Sequence, residues 1–535
     1  MNKKEIWTLD AETDPFKKGR LDIKPFVWGC YNGSEYHEFS KTKHVVEFFR
    51  DKDVIVYAHN GGRFDYHFML DYFDEFEPVM IIAGRIAKFN IGLAQFRDSA
   101  NILPIRLSDY KKDDFDYEIL EKELRNIPEN KIKISKYLKN DCIYLHEIVT
   151  RFIDDYGLHL TFAGAAMHTW SKMTNIKPPK TTKDFYEGLA DYYYGGRVEA
   201  FKKGIIDYEF KVIDVNSMYP TAMMEDHPYG DYYYTSKELP KSIKDIQKCF
   251  ISIECASHGA LPFRSKTGLI FPNDDEIRVY NITGWEYIKA FENNAIANVK
   301  IVKCIKFDEH INFKSYINFF FEMKKKCKQN GDRAGYLFAK FMLNSLYGKF
   351  GSNPDKYDEY MVVKPYHVEA TEIDGYKLNA ELGPWGLVSK PLDEHKQHYY
   401  NVAVSASITG WARAHLFDSI KKCEGVMYCD TDSIACTSSG SLELDPTRLG
   451  AWDIEAECDY GAIGGKKLYS FHNVMEDKFG FAADAFKIAS KGVSLTNSEI
   501  TAVAQGYEVE FESHIPSFST KRGKYLNKRK IKMIN

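Results

Sequence analysis

Two aspartates separated by a single residue lie between two apolar, strand-like segments. Residues 425–437 read GVMYCDTDSIACT, so Asp430 and Asp432 sit where the chain would turn from one strand into the next. Two carboxylates that close repel each other, and burial in a sheet raises the cost of keeping both ionised. We therefore expect a positive group, such as a metal ion, next to this pair.

A third carboxylate ends another apolar strand. In FKVIDVNSMYPTAMM, residues 210–224, Asp214 follows the strand and Pro220 lies near the start of a helix. Side by side, the three acids would form a hard oxygen site suited to Mg²⁺, and two such ions about 4 Å apart serve displacement reactions at phosphorus. Each motif alone is explained at least as well by an exposed turn or a strand-end cap, so the prediction depends on their joint occurrence.

The helix predicted for residues 333–350 carries polar groups on one face. Lys340, Asn344 and Tyr347 are spaced i, i+4 and i+7, and Arg333 lies one heptad upstream of Lys340. Cations, an amide and an aromatic ring on one face could hold a triphosphate and stack on a base. The alternative is an ordinary amphipathic helix.

A second set of acids lies in the first 150 residues, where strands alternate with helices and predict an α/β domain. Asp10 and Glu12 share one face of a strand, and Asp65 begins a segment predicted as a helix. Tyr137 and Asp141 are at i and i+4 of an amphipathic helix. Together these groups could bind two metal ions and orient a water for phosphodiester hydrolysis, although each acid alone is more simply a cap or a surface group.

The bulk composition indicates a globular protein of several domains. The chain has 535 residues, a net charge of −4 and ten scattered cysteines without a CxxC pair. Its apolar runs are too short to cross a bilayer and its charged N-terminus is unlike a signal peptide, so we expect a cytoplasmic protein without a membrane partner. Two basic segments, 322–333 and 521–532, fit nucleic-acid contacts and solvated surfaces equally well.

Three of these segments together resemble a known family. DVNSMYP, KFMLNSLYG and YCDTDS, in that order, are similar to motifs A, B and C of family B DNA polymerases, above all the protein-primed phage enzymes of the phi-twenty-nine type. The resemblance implies Asp214 and Asp432 as the principal metal ligands, with Asp430 beside them and the Val215 carbonyl helping. It also implies that Tyr219 closes the sugar pocket and rejects a 2′-hydroxyl. The implied nucleotide contacts are Lys340, which would grip the phosphates, and the pocket residues Asn344, Tyr347 and Arg333.

The acids near the N-terminus resemble the three exonuclease motifs of proofreading polymerases. Asp10 and Glu12 match DxE, residues 60–65 match Nx(2–3)(F/Y)D with GGR as the insert, and Tyr137 with Asp141 matches YxxxD. The resemblance implies a 3′–5′ exonuclease with these residues and Asp65 at its catalytic centre.

The same resemblance implies residues that handle the primer end. His59, Asn60 and Ser99 would hold the frayed strand. In YKKDDFDY, a lysine that assists the exonuclease is assigned to Lys112 rather than Lys111, because its spacing to the following acids and tyrosine fits better.

Two short elements resemble motifs that contact DNA. YYGGRVEAF is similar to the YxGG element between the two activities, with Tyr193, Gly195 and Gly196 as its matching residues. KKLY is similar to the KxY element after motif C and would place Lys467 and Tyr469 on the primer strand. An ordinary turn explains the paired glycines equally simply, and Lys-x-Tyr triplets are common, so order along the chain carries both assignments.

The resemblance extends over nearly the whole chain and implies a mixed α/β, multi-domain protein: an RNase H-like 3′–5′ exonuclease domain followed by a right-hand polymerase with two insertions. The predicted boundaries are 1–150 for the exonuclease, 151–225 and 402–484 for the palm, 226–317 and 351–401 for the insertions, 318–350 for the fingers and 485–535 for the thumb.

The implied function is DNA-directed, protein-primed DNA synthesis with proofreading and strand displacement. The implied cofactors are two Mg²⁺ or Mn²⁺ ions per active site. The implied partners are template–primer DNA, single-stranded DNA, dNTPs and a terminal priming protein, and we expect a monomer in the host cytoplasm. The alternatives are a nucleic-acid-primed polymerase, or a nuclease or DNA-binding replication protein without polymerase activity.

Overall fold

The computed structural model describes residues 4–17, 20–475, 485–513, 515–519 and 523–533. Two residues of the predicted basic tail, Lys521 and Arg522, and the last residues of the predicted palm, 476–484, lie outside the described residues. Within the described ranges, every helix is too short or too polar to span a bilayer.

The N-terminal unit is a twisted sheet covered by a long helix. Its strands run in the order β3-β2-β1-β4-β7-β6-β5, with β1–β4 and β4–β7 parallel. Strand β4 is buried along its whole length, which explains its continuous apolar sequence. The elements are β1 Glu5–Thr13, β2 Pro25–Tyr31, β3 Tyr36–Phe39, α1 Thr42–Arg50, β4 Val54–Ala58, β5 Pro78–Ile82, β6 Arg85–Ile91, β7 Ala94–Asp98 and α2 Pro128–Tyr156.

The helix predicted over residues 64–73 is wrong. The segment forms two short 3₁₀ turns, Asp65–Phe68 and Leu70–Tyr72, after a left-handed residue at Asn60. These turns direct the neighbouring Asp65 and Tyr66 side chains into the protein, where both are buried. Tertiary burial therefore overrides the local helical pattern.

The middle of the chain begins the second large sheet and then forms a separate antiparallel sheet. The first part comprises α3 Phe162–Thr174, α4 Lys183–Ala190, β8 Val198–Ala200, β9 Gly204–Ile206, β10 Phe210–Val215 and α5 Met218–Ala222. The first insertion is built on the four-stranded sheet β12-β17-β13-β16. Its elements are β11 His227–Tyr229, β12 Tyr234–Ser236, α6 Ile243–Gln247, β13 Phe250–His258, β14 Phe263–Ser265, β15 Gly268–Ile270, β16 Asn273–Thr283, α7 Gly284–Glu292, β17 Ile296–Lys306 and β18 Glu309–Ile311.

A helical hairpin and a second insertion come next along the chain. They comprise α8 Lys314–Gln329, α9 Arg333–Phe350, β19 Asp358–Val363, α10 Val368–Glu372, β20 Lys377–Leu382 and β21 Trp385–Pro391. The sequence HVEATEIDGYKLNAE, residues 367–381, predicts a hairpin that turns at Asp374-Gly375 between two polar strands. This prediction is wrong, because a helix rather than a strand precedes the turn. The actual hairpin joins β20 to β21 through Gly383, whose φ of +62° lies in the left-handed region that glycine adopts at low cost.

The segment predicted as the second insertion, 351–401, contributes strands to the N-terminal sheet. Strand β19 pairs with β5, so the sheet extends to ten strands, and the buried Trp385 donates its indole N–H to the Leu70 carbonyl at 2.6 Å. Trp385 and Leu387 join the same apolar core as Phe49 and Phe96. The insertion is therefore anchored in the core of another unit.

The rest of the chain completes the second sheet and a small C-terminal unit. The sheet order is β26-β25-β24-β10-β23-β22-β8, and α11 packs behind it. The C-terminal unit contains α12 and four short strands. The elements are α11 Val402–Lys422, β22 Tyr428–Asp430, β23 Ser433–Cys436, β24 Trp452–Gly465, β25 Leu468–Asn473, β26 Ala485–Ser490, α12 Asn497–Ala504, β27 Val509–Glu512, β28 Ser517–Ser519, β29 Gly523–Tyr525 and β30 Lys528–Ile531.

Three predicted boundaries divide an observed helix or sheet. The boundary after residue 150 lies inside α2, and the boundary after residue 317 lies inside α8. Strand β26, which lies in the range predicted for the thumb, pairs with β25 and joins the sheet that carries Asp214. Helix length and strand pairing set these positions, and neither is visible in the motif order.

Candidate active sites

Asp214 and Asp432 are brought together by strand pairing. Strands β10 and β23 are antiparallel with Asp214 opposite Ser433, and the Val215 N–H donates to the Asp432 carbonyl at 2.8 Å. Thr431 holds a φ of +63° at the intervening turn. Asp214, Val215 and Asp432 line one cavity of about 790 Å³.

The environment of these two acids penalises negative charge. Burial, followed by the charges of Asp432 and Glu455, raises the pKa of Asp214 to about 8. Burial also raises the pKa of Asp432 to about 6, with the nearby Asp430 adding to the rise. Hard oxygen ligands that need an opposing charge fit a divalent cation.

Asp430 faces a protein cation. Lys467 contacts both its carboxylate oxygens, at 2.7 and 2.8 Å. The Lys467 N–H donates to the Tyr428 hydroxyl, and Tyr469 stacks on Phe471 with ring centroids 4.4 Å apart. Asp430 is thus neutralised within the protein, and the predicted KxY pair supports the motif C hairpin from the side of β25.

The same cavity is also lined by cations. Lys340 and Asn344 of α9 line it, and the Asn344 amide donates to the Lys340 carbonyl at 2.8 Å. Helix α8 adds Lys324, Lys325 and Lys328, which motif matching missed, although the basic composition of residues 322–333 was a signal. Burial and the neighbouring charges of Lys340 and Lys328 lower the pKa of Lys324.

Strand β24 contributes two more acids that sequence reasoning missed. Asp453 and Glu455 line the same cavity, and Glu455 forms an ion pair with Lys487. The alternating sequence WDIE places both acids on one face of the strand, and this pattern could have identified them from the sequence.

Of Tyr219, Tyr347 and Arg333, only Tyr219 lines the cavity. It stacks on Tyr347, with ring centroids 4.5 Å apart and planes at 21°. Arg333 donates to the Asp109 carbonyl at 2.7 Å and does not line this cavity, so its contact with a nucleotide stays a prediction. Tyr336, one turn along α9, lines the cavity.

The paired glycines lie against the motif C turn. A Cβ built on Gly196 would come within 2.7 Å of the Thr431 hydroxyl oxygen, and the Thr431 N–H donates to the Arg197 carbonyl at 2.7 Å. Open space surrounds the equivalent position of Gly195. The glycine at 196 therefore permits the close approach of this loop to the acids.

A buried ion pair supports the same loop. Arg413 pairs with Glu286 at 2.7 Å, with both side chains about 1% exposed, and donates to the carbonyls of Tyr194 and Gly195. The preceding Tyr193 lies beside Gly351 at the end of α9. Sequence reasoning missed this pair and had no signal for it, because its members belong to distant elements.

The second acidic cluster forms in the N-terminal unit. One carboxylate oxygen from each of Asp10, Glu12 and Asp141 lies within 4.8 Å of the other two. Asp65, which is 3% exposed, lies close enough for its charge to raise the pKa of Asp10 and of Glu12. Burial is the largest cause of both rises, and brings the Glu12 pKa to about 8. Several carboxylates whose charges raise one another's pKa fit a site for divalent cations.

Tyr137 and Lys112 flank this cluster. The Tyr137 hydroxyl lies 3.0 Å from that of Tyr117, and its hydrogen bond to Asp141 partly offsets the burial that raises the pKa of Asp141 to about 6. The charge of Lys112 also lowers the pKa of Asp141, whereas Lys111 forms an ion pair with Glu147. Lys112 is thus the lysine whose charge acts on the cluster.

The predicted primer-end residues separate into two kinds. Asn60 and His59 line a cavity of about 590 Å³ that also contains Asp10 and Asp65. Ser99 is fully buried and lies 3.0 Å from His59 Nδ1, so it positions the imidazole rather than meeting a strand directly.

Comparisons with known proteins agree with this arrangement. Residues 107–424 match a family model described as DNA polymerase type B, organellar and viral. The DNA-directed DNA polymerase of Enterobacteria phage PRD1 is 38% identical over 507 residues, which cover 93% of this chain and 87% of that protein. The DNA polymerase of Bacillus phage Nf is 28% identical over 60% of this chain and 57% of its own length.

Solved structures show the same fold. Phi29 DNA polymerase in complex with primer-template DNA and incoming nucleotides superposes with a TM-score of 0.75 at 20% identity over the full length of both chains. The same enzyme with single-stranded DNA gives 0.77, covering 99% of this chain and 100% of that one. These likenesses confirm the predicted fold of an exonuclease-type domain followed by a right-hand polymerase. The chain belongs to the organellar and viral type B DNA polymerases, the polymerase family that its motifs predicted.

Proposed function

We propose that this protein is a template-directed DNA polymerase that works by two-metal-ion nucleotidyl transfer. One observation carries the proposal: Asp214 and Asp432 share a cavity with lysines of α8 and α9. Acids and cations in one cavity suit a metal-bound triphosphate. Phi29 DNA polymerase, whose fold this chain shares, has been seen with primer-template DNA and incoming nucleotides.

The residues of this cavity would divide the work between metal binding and phosphate binding. Asp214, Asp432 and the Val215 carbonyl would hold two Mg²⁺ or Mn²⁺ ions, which would lower the pKa of the primer hydroxyl and neutralise the departing pyrophosphate. Lys340 and its neighbours on α8 would hold the triphosphate by charge. The primer 3′-oxygen would bond to the α-phosphorus as the bond to the bridging oxygen of pyrophosphate breaks.

Tyr219 would act as the steric selector for deoxyribose. It lies against the cavity and is held by its stack on Tyr347, so its ring has little freedom to move away. A 2′-hydroxyl would need the space that the ring occupies.

We propose a 3′–5′ exonuclease as the second activity. The cluster of Asp10, Glu12 and Asp141, with Asp65 nearby, supplies the ligands for metal ions that would activate a water for phosphodiester cleavage. Tyr137 would orient that water, and Asn60 and His59 would hold the strand end in the adjoining cavity. Lys112 would steady the charge near Asp141.

Protein priming and strand displacement are proposed from the relatives and from the second insertion. This insertion extends the N-terminal sheet through β19, and β29 of the C-terminal unit lies against β20. Such a bridge supports a closed path around a DNA strand and favours a protein-primed enzyme over a nucleic-acid-primed one. The proposed primer is a terminal protein, and the proposed ligands are template–primer DNA, single-stranded DNA and dNTPs. We also propose that the protein is a monomer in the host cytoplasm.

Separate inactivation of the two sites tests it. Asp432→Ala should abolish labelled dNMP incorporation on a primed template and leave degradation of single-stranded DNA intact. Asp10→Ala with Glu12→Ala should do the reverse. Glu457→Ala, an exposed acid on β24 paired with Lys211, is the matched control.

The outcomes separate the hypotheses. Normal extension by the Asp432 variant would refute the polymerase site, and loss of both activities in the double variant would refute two independent centres. Incorporation that requires a phage-encoded candidate primer protein in place of an oligonucleotide would support protein priming.

A further inference from the structure

A single helix connects the candidate nuclease to the candidate nucleotide site. Helix α2 carries Tyr137 and Asp141, and Arg151 lies about 15 Å further along its axis. There the Arg151 guanidinium donates two hydrogen bonds to Asp332, at 2.7 and 2.6 Å. Each nitrogen meets a different carboxylate oxygen, so the pair is bidentate and fixes orientation as well as distance.

Asp332 is also the N-cap of α9. Its Oδ1 accepts the N–H of Gly335 at 3.0 Å. A Cβ built on Gly335 would come within 2.5 Å of the Asp332 carboxylate and 2.7 Å of the Cys327 sulfur, so only glycine lets α8 and the cap approach this closely. One carboxylate therefore ties the start of α9 both to its own backbone and to α2.

Apolar contacts between α2 and α9 do not by themselves fix how the two helices are rotated against each other. Phe152 and Tyr156 of α2 meet Phe338 edge-on, with ring centroids 5.7 and 5.8 Å apart. Dispersion attraction between such rings is non-directional. The bidentate pair is therefore the directional contact between α2 and the start of α9, where Arg333 also donates to the Asp109 carbonyl.

The position of α9 matters because the helix carries Tyr336, Lys340 and Asn344, which line the proposed nucleotide cavity. Lys340 and Asn344 lie two to three turns beyond Asp332 and reach the cavity of the palm acids. A small roll of α9 would move both side chains away from a bound triphosphate. We propose that Arg151 is a positioning residue for nucleotide binding, acting through Asp332 on Lys340 and Asn344. This inference rests on the proposed polymerase function.

Two substitutions isolate the contact. Arg151→Met removes the guanidinium and keeps the aliphatic stem. Asp332→Asn removes the charge partner and keeps an oxygen that can cap Gly335. Asp155→Asn is the control, since Asp155 is the other acid beside Arg151, at 3.6 Å on the same helix.

Steady-state extension of a primed template, with dNTP as the varied substrate, gives the decisive measurement. Each single variant should raise the dNTP KM about three- to fivefold, a change expected for the loss of one partly exposed, bidentate pair. The kcat should change less than about twofold, and degradation of single-stranded DNA should match the wild type. The double variant should be no worse than either single variant, because both remove the same contact. Asp155→Asn should leave KM unchanged.

Three results would overturn the proposal. They are an unchanged KM in both single variants, additive effects in the double variant, or a parallel fall of both activities together with the thermal unfolding midpoint, which would indicate a purely structural role. A wild-type protein that incorporates no dNMP would instead defeat the proposed function on which the inference depends.

Discussion

Removing one charge from the cluster of Asp10, Glu12 and Asp141 should make the metal-free protein more stable. Burial and the charges of Asp141 and Asp65 raise the pKa of Glu12 from 4.5 to about 8. At pH 7 the unfolded chain ionises this group while the folded chain keeps it protonated. That difference costs about 1.4 kcal/mol per pH unit above 4.5, or about 3 kcal/mol at pH 7. Glu12→Gln removes the cost because an amide has nearly the same shape and no charge.

The sign of the pH dependence comes from the direction of the pKa shift. An acid whose pKa is raised by folding imposes no penalty below its unfolded pKa. The penalty grows as the pH rises from about 4.5 and is complete above about 8. The advantage of Glu12→Gln should therefore be large at pH 8 and small at pH 5.

Calorimetry in EDTA measures the difference in unfolding midpoint between the wild type and Glu12→Gln. For a unit of this size, about 3 kcal/mol corresponds to a rise of about 6 °C or more in the unfolding midpoint. Added Mg²⁺ should stabilise the wild type more than the variant and narrow the gap, because the ion binds the intact cluster of the folded state. Glu47→Gln replaces an exposed acid on α1 and should change neither the unfolding midpoint in EDTA nor the stabilisation by Mg²⁺.

The opposite result would be informative. A Glu12→Gln protein that unfolds at or below the wild-type midpoint in EDTA at pH 8 would show that the carboxylates are already compensated. That result would contradict the proposal that the cluster binds metal ions.

Three further predictions concern other contacts. Gly196→Ala forces a methyl group against Thr431 and should slow primer extension about tenfold or more. Degradation of single-stranded DNA should be unchanged. Extension at the wild-type rate would mean that the Thr431 turn can shift to accommodate the methyl group. Lys467→Met leaves Asp430 without its cation and should lower both the unfolding midpoint and extension more than Lys466→Met does, as measured by calorimetry and a primer-extension assay. Trp385→Ala, in the second insertion, should lower the free energy of unfolding by about 3–5 kcal/mol. The exonuclease activity should then be lost at a lower temperature than in the wild type. An unchanged inactivation temperature would contradict the shared core.

The anchoring of the second insertion also decides how strand displacement can be tested. Deleting residues 358–390 would remove β19 and Trp385 and open the core of the N-terminal unit. Substitutions at the exposed tip, such as Ile373→Asp at a side chain that is 89% exposed, leave that core intact. Loss of synthesis through duplex DNA in such a variant, with normal single-nucleotide addition, would support the proposed role.

Elements with strong local signals were predictable. The apolar run before Asp214, the hairpin around Asp430 and Asp432, and the helices that carry Asp141 and Lys340 all occur where periodicity and turn chemistry predicted them. The two wrong elements, at residues 64–73 and near Gly375, are short segments in which burial against distant strands outweighs local preference.

Which groups pair with one another was not predictable. The sequence shows that Asp430 and Asp432 are neighbours, but only strand pairing places Asp432 toward Asp214 while Lys467 takes Asp430. The partners of the α8 lysines were equally unpredictable. Their basic segment would also fit an exposed surface, and only the tertiary structure places these lysines in the cavity that the acids line.

By itself, then, the sequence identified the family through the resemblance of its ordered motifs, and that resemblance implied the fold class. Residue type and helix and strand periods indicated the acids that could bind metal. The tertiary structure alone decided which charges oppose one another, that the second insertion completes the N-terminal sheet, and that α2 reaches from the acidic cluster to the start of α9. The physical reason is that such pairings join surfaces far apart in the chain. Their stability depends on burial and complementary charge at the point of contact, and no local pattern in the sequence records either one.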